Sequence, residues 1–219
     1  MREFLIKTFN REEYADRFLY NGEMRFSHIV SFQNIEDGEI RGDKTEGVTI
    51  ETINADIAPN VTKFYLGSSN GGKLYVVDWE GVKKQFPEIA NNPGKYQFRI
   101  KYQVDWLIYC LTYINSATPE INKILNKCTS FGEYSTVICD CEGFLSKVSN
   151  LVPNCQHGLV KYSNEEMKHP FIKPLDYSWQ QEYRIAIPAG NNKERFFSIG
   201  KLRGFVCKTR SIYTLKQLL

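Results

Sequence analysis

Trp179-Gln180-Gln181-Glu182-Tyr183-Arg184-Ile185-Ala186-Ile187 is the stretch on which the fold and chemistry of this chain turn. Read as a strand, it places Trp179, Tyr183, Ile185 and Ile187 on one face, with Gln181 alone out of pattern. Gln180, Glu182 and Arg184 then line the other face at about 6–7 Å spacing. An amide, a carboxylate and a guanidinium in a row on an otherwise apolar strand suit the wall of a cleft. They equally suit a half-buried strand whose polar face meets solvent.

The rest of the chain sets the frame for that strand. Its 219 residues fit a single domain, 1–219, with a sizeable core. A hydrophobic content of 42% excludes disorder. The net charge of +3 permits a nucleic-acid partner without arguing for one. Met1-Arg2-Glu3-Phe4-Leu5-Ile6-Lys7 lacks the apolar region of a signal peptide. The most apolar run, residues 104–114, is broken by Asp105 and too short for a bilayer. A soluble, cytoplasmic protein with no membrane partner is the expectation. Its cysteines then read as reduced, mostly buried thiols. Cys139-Asp140-Cys141 has no second pair at ligand spacing, and His28, His157 and His169 are scattered, so no metal ligands are assigned.

Outward from 179–187, periodicity predicts many strands and few helices. Residues 4–9 read as a strand, followed by a helix capped by Asn10 that buries Tyr14 and Phe18 and ends at Asn21-Gly22. Residues 23–32 return as a strand, and a polar loop carries Gly42-Asp43-Lys44-Thr45-Glu46-Gly47. Residues 48–56, 61–66 and 73–78 are strands, the last two a hairpin across a glycine-rich turn. Tyr96, Phe98, Ile100 and Tyr102 alternate with Lys95, Gln97, Arg99 and Lys101, so the three cations share one face. Such a stripe suits phosphate contacts or a solvated sheet face. Residues 106–113 read as a strand buried on both faces. Helices are expected after Thr118-Pro119, at 143–151 (burying Phe144, Val148 and Leu151), after Ser163 and at 212–219. Shorter strands fill 133–139, 159–162, 196–199 and 204–208. The sum is an α+β fold with a mixed, largely antiparallel sheet and flanking helices.

Three features together resemble a family of bacterial proteins akin to the ADP-ribosyltransferase superfamily. They are the strand–helix–strand opening, the Gly42–Gly47 loop, and a late Lys-x-x-x-x-x-aromatic-x-x-Glu-Tyr-Arg segment, here Lys173 through Trp179 to Glu182-Tyr183-Arg184. The block 131–148 and Gly158-Leu159-Val160-Lys161-Tyr162 fit as well, so the resemblance spans nearly the whole chain.

The resemblance implies a toxin-like mono-ADP-ribosyltransferase fold and activity, with NAD as substrate. It leaves protein, DNA or RNA as the acceptor; the mild basicity and the Lys95, Arg99 and Lys101 stripe make a nucleic acid, RNA or DNA, the expectation, in phage defence or in a toxin–antitoxin system with an antitoxin partner. Gln180-Gln181-Glu182 is similar to the Gln-x-Glu version of the late catalytic strand, which makes Glu182 and Gln180 the catalytic candidates. Tyr134-Ser135 is similar to the central element. Lys7 stands where a His is common, and Arg25, with Ser27, is the other candidate; these residues and Arg184 are the expected NAD contacts. Asp43, Glu46, Lys95, Arg99 and Lys101 are the expected acceptor contacts. Cleavage of the nicotinamide–ribose bond passes through an oxocarbenium-like state, which a carboxylate on the ribose hydroxyl stabilises.

Two rivals come from the same residues. In a metal-dependent nuclease, Asp43, Glu46 and Glu182 would hold magnesium. In a non-catalytic binding module, Glu182 and Arg184 would form a structural ion pair.

Overall fold

A computed structural model describes residues 2–34, 48–57, 62–67, 74–87, 94–103, 105–163, 169–202 and 206–209. In chain order the opening elements are β1 (Glu3–Phe9), α1 (Glu12–Asn21) and β2 (Glu23–His28), then β3 (Val48–Ile57), β4 (Lys63–Gly67) and β5 (Leu74–Asp78). Next come α2 (Trp79–Gln85), β6 (Gly94–Gln103), β7 (Trp106–Asn115), α3 (Ile121–Cys128), β8 (Tyr134–Ile138) and α4 (Cys141–Leu151). The last are β9 (Gln156–Leu159), β10 (Lys161–Tyr162), β11 (Ile172–Lys173), β12 (Glu182–Pro188), β13 (Glu194–Ser198) and β14 (Val206–Thr209). Met1–Val48 and Gln103–Leu219 make one compact unit, and Thr49–Tyr102 makes another.

The larger unit is built on an eight-stranded sheet in the order β13-β2-β7-β1-β8-β14, with β12 branching from β7 and β9 pairing with β12. All its pairings are antiparallel, and the separate β10–β11 ribbon is parallel. The fold class is therefore α+β with a largely antiparallel sheet.

β7 holds this sheet together, and the reason lies in its composition. Trp106-Leu107-Ile108-Tyr109-Cys110-Leu111-Thr112 offers apolar or small polar side chains to both faces, as a fully covered strand requires. One edge pairs with β12 from Trp106 to Thr112. The other edge is divided: Leu107 and Ile108 pair with His28 and Ser27 of β2, whereas Thr112–Asn115 pair with Ile6–Glu3 of β1. Continuing either register would set Thr8 or Arg25 opposite Cys110, and neither pairing is made. The sheet splits there.

Two faces of β7 and β12 are covered differently. On one, α1 and α4 bring Phe18, Phe144 and Val148 against Leu107, Tyr109, Leu111, Ile185 and Ile187. On the other, Ile124, Leu125 and Cys128 of α3 pack on Ile6, Ile114 and Val137 at one end. Ile29, Ile108 and Ala186, with Phe32 and Phe171, fill the other end.

The smaller unit pairs β4 with β5 and β3 with β6. Its core is aromatic: Trp79 meets Phe64, Tyr96 and Phe98 with ring centroids 5.6, 5.1 and 6.2 Å away. α2 is not anticipated by periodicity; its signal is Asp78, whose carboxylate accepts from the Gly81 N–H at 3.3 Å.

Several sequence expectations are corrected. The late strand begins at Glu182, because residues Leu175–Gln180 form a 3-10 helix and Gln181 adopts a left-handed conformation, φ 46° and ψ 50°. Trp179 and Gln180 therefore lie outside the strand. Tyr14 is exposed and flanked by Arg11 and Arg17, while Ala15 and Phe18 are the buried residues of α1. The helix is preceded by Arg11, with no side-chain cap from Asn10. Leu151 is exposed at the end of α4. The helices expected after Ser163 and at 212–219 fall outside the described residues. Among the described residues, no helix is long and apolar enough to cross a membrane.

Candidate active site

The split in the sheet opens a cleft of about 180 Å³, the space of about six water molecules. Its floor is the face of β7 and β12 that alternation turns away from α1 and α4: Cys110, Thr112, Glu182 and Arg184. Lys7 and Thr8 of β1 form one wall, Phe32 and Phe131 stand at the sides, and Lys173 and Gln180 complete the lining. Among the described residues, three cationic side chains and one carboxylate line the cleft.

Glu182 is buried, at 6% exposure, and so is Arg184, at 1%. The expected polar face thus exists but does not meet solvent. Arg184 Nε donates to Glu182 Oε1 at 2.7 Å and Nη2 donates to Oε2 at 3.3 Å. A third guanidinium bond, from Nη1, goes to the Pro170 carbonyl. Lys173 Nζ donates to Glu182 Oε2 at 3.1 Å and to Gln180 Oε1 at 2.7 Å. Burial alone would push the Glu182 carboxyl up, but the Arg184 guanidinium and the Lys173 ammonium outweigh it and hold it below the usual carboxylate range. The carboxylate is charged at neutral pH. Its neighbours behave oppositely: burial and the Glu182 charge push the Cys110 thiol up, and the Tyr162 hydroxyl likewise.

Backbone geometry explains why Gln180 and Glu182 meet at all. The left-handed turn at Gln181 ends the 3-10 helix, and the Tyr113 N–H donates to the Gln181 carbonyl at 2.7 Å. β12 then runs on along β7. The same bond fixes parity: odd residues of β7 address β12, so the Cys110 peptide groups face the split. Lys7 Nζ donates to the Cys110 carbonyl at 2.8 Å and sits 4.3 Å above the Tyr109 ring. An ammonium thereby takes the place of a missing strand partner, and Lys7 lines the cleft.

Other predicted site residues are placed elsewhere. Arg25 is exposed and bonded to Glu194, Nη2 to Oε2 at 2.7 Å, and neither it nor Ser27 lines the cleft. Tyr134 and Ser135 pair with Phe9 and Thr8 on β8 and are not lining residues either. Lys95 is exposed on β6 of the smaller unit, and Arg99 and Lys101 belong to the same strand. Asp43 and Glu46 lie outside the described residues. The magnesium reading needs both of them, and it would also set a divalent ion against two cations already on Glu182.

Lys173, Tyr162 and Cys110, which all reach Glu182, carry no role in the sequence reading; Lys173 and Cys110 line the cleft, and Tyr162 binds the Glu182 backbone from outside the lining. Lys173 opens the late motif, six residues before Trp179, which is a local signal. Tyr162 and Cys110 reach Glu182 only through strand register, for which single-sequence periodicity offers no signal. At the rim, Trp179 stacks on Phe131 with centroids 5.9 Å apart and planes 13° from parallel, and Lys127 Nζ lies 4.2 Å from the Trp179 centroid. No protein-family model matches the chain, and no curated protein or solved structure does either.

Proposed function

We propose that the chain is an NAD-dependent mono-ADP-ribosyltransferase with an ADP-ribosyltransferase-like fold. One observation carries this reading: a charged carboxylate, Glu182, sits at the floor of a cleft in a split sheet, with the Gln180 amide bridged to it by one ammonium. In the proposed reaction Glu182 accepts the ribose hydroxyl proton as a hydrogen bond and stabilises the positive charge that develops as nicotinamide departs. The cations among the cleft's described lining residues, Lys7, Lys173 and Arg184, suit the anionic remainder of NAD. The cleft is sized for the reacting end of such a ligand rather than for all of it. Gln180 orients the acceptor.

The acceptor is proposed to be RNA or DNA, in phage defence or a toxin–antitoxin pair, with a cytoplasmic site of action. Support for the nucleic acid is the net charge of +3 and the sequence alternation that groups Lys95, Arg99 and Lys101.

The test is incubation of the pure protein with NAD labelled in the adenylate, with and without RNA and DNA. Nicotinamide release and label on the nucleic acid are expected. Glu182→Gln, checked for its fold by circular dichroism, is expected to lose 10²- to 10³-fold in rate, about the effect of removing one group aimed at developing charge. Full activity in that variant removes the proposal.

A second reading, a non-catalytic binding module, has its own observation. Both oxygens of Glu182 are already engaged by Lys173 and Arg184, as in a structural ion network. It predicts NAD binding, measured by calorimetry, with no nicotinamide released.

A further inference from the structure

Among the described residues, the shortest strand pair makes contact with the one buried carboxylate. β10 and β11 are two residues each, and in their register Tyr162 stands opposite Lys173. Both side chains reach Glu182. The Tyr162 hydroxyl accepts the Glu182 backbone N–H at 2.8 Å, while Lys173 Nζ binds the Glu182 carboxylate at 3.1 Å. The ribbon is itself tied to β12, because the Val160 N–H just before it donates to the Glu182 carbonyl at 2.9 Å. Beyond it, the Ser163 N–H donates to the Lys173 carbonyl at 2.9 Å. One residue is thus gripped at its N–H, its C=O and its side chain by a single short ribbon. Lys173 is 4% exposed, so its ammonium would be a heavy burden in the interior unless its bonds to Gln180 and Glu182 were functionally or structurally needed. Arg184 alone already neutralises the carboxylate.

We propose that Tyr162 and Lys173 are positioning residues: Tyr162 fixes the main chain of Glu182, and Lys173 fixes the carboxylate relative to the Gln180 amide. The proposal rests on the transferase reading for its catalytic meaning, and on the geometry alone for its effect on Glu182. The charged and titratable groups facing Glu182 are Lys173 from β11, Arg184 from β12, Cys110 from β7 and Tyr162 from β10. Of the two cations, Lys173 is the one that also holds Gln180. Its removal leaves the charge of Glu182 balanced by Arg184 but unties the two candidate catalytic side chains.

The experiment compares Lys173→Met, Lys173→Arg and Tyr162→Phe with the unmodified chain by two measurements. The first is the Glu182 carboxyl titration followed by carbon NMR, which needs no turnover. The second is the pH profile of kcat/KM for nicotinamide release. In Lys173→Met the Glu182 titration is expected to move up by about one unit or more, the effect of losing an adjacent opposite charge. The acid limb of the rate profile moves with it. Lys173→Arg restores both toward the original. Tyr162→Phe leaves the titration in place and lowers kcat/KM between about ten- and a hundredfold, as a small displacement of a catalytic group does. A Glu182 titration identical in Lys173→Met and the unmodified chain overturns the role of Lys173. Unchanged kcat/KM in Tyr162→Phe overturns that of Tyr162. If no variant, nor the parent, releases nicotinamide, the transferase reading falls, while the titration still decides whether the ribbon sets the state of Glu182.

Discussion

The two faces of β7 and β12 are both buried, yet they solve opposite problems. Toward α1 and α4 the strands present Leu107, Tyr109, Leu111, Ile185 and Ile187, and packing is all that face has to achieve. Toward the cleft, the same strands present Cys110, Thr112, Glu182 and Arg184. Burying those charges is costly unless each is paired and hydrogen-bonded, and here each is. One face is held by shape and the other by electrostatic balance. Loss of the one carboxylate unbalances both cations at once, whereas a packed face degrades locally.

That contrast is broken most severely by unbalancing the ions. Glu182→Leu removes the carboxylate that both Lys173 and Arg184 bind and is expected to cost about 3–5 kcal/mol, read from urea unfolding. Combining it with Lys173→Met and Arg184→Met removes the charges together, and most of the loss should return, because a well-packed apolar replacement of a buried ion network is often neutral. A triple variant no more stable than Glu182→Leu would mean that the network, and not merely its balance, holds this face.

On the packed face, Phe144→Ala is expected to cost about 3–5 kcal/mol as well, through lost burial and a cavity beside Phe18. No second substitution that removes further apolar groups should restore it. Urea midpoints of Phe144→Ala alone and with Val148→Ala would show this, the double variant being the less stable.

The faces should also differ in their response to acid. Glu182 is held below its ordinary range, so at pH below about 4.3 the unfolded chain takes up protons that the folded chain refuses. The stability contributed by Glu182 is present above that pH and is lost as pH falls toward the folded-state value. Unfolding free energies between pH 3 and 6 should fall less steeply in Glu182→Gln than in the parent, while Phe144→Ala keeps the parental slope. Equal slopes in all three would remove the charge imbalance as the source of acid sensitivity.

The smallest effect concerns the turn that brings the faces into register. Gln181 is left-handed at φ 46°, a conformation that disfavours branched side chains. Gln181→Val should lose about 1–2 kcal/mol and Gln181→Gly should hold its Tm. Loss of Gln180 from the cleft in the valine variant would appear as a change in the Glu182 titration.

How much of this was legible in the sequence differs between the same two faces. The apolar one was readable by alternation: Tyr183, Ile185 and Ile187 fall where the period of two puts them, and residues 106–113 read directly as a covered strand. The cleft face was readable only in its residue types. Alternation placed Glu182 and Arg184 together, but it also placed Gln180 on that strand. The structure brings Gln180 there by another route, a 3-10 helix and one left-handed residue, which have no periodic signature. Tyr14 went wrong for a related reason: two aromatics four apart imply one buried face, and Arg11 and Arg17 draw Tyr14 out to solvent instead. The Tyr162–Lys173 ribbon depends on a parallel pairing of residues eleven apart, which nothing local encodes.

The divided edge of β7 has a consequence for how this molecule moves. A central strand normally guards every amide it owns, and deuterium enters such a strand slowly and evenly. Cys110 sits midway along β7 with its peptide groups turned toward the gap between β1 and β2, where the lysine of β1 takes its carbonyl. Its N–H lies outside both ladders, while those of Tyr109 and Leu111 are directed to β12. Deuterium should therefore enter this strand at its middle sooner than at the residues on either side, making the floor of the cleft the seam along which the sheet first loosens.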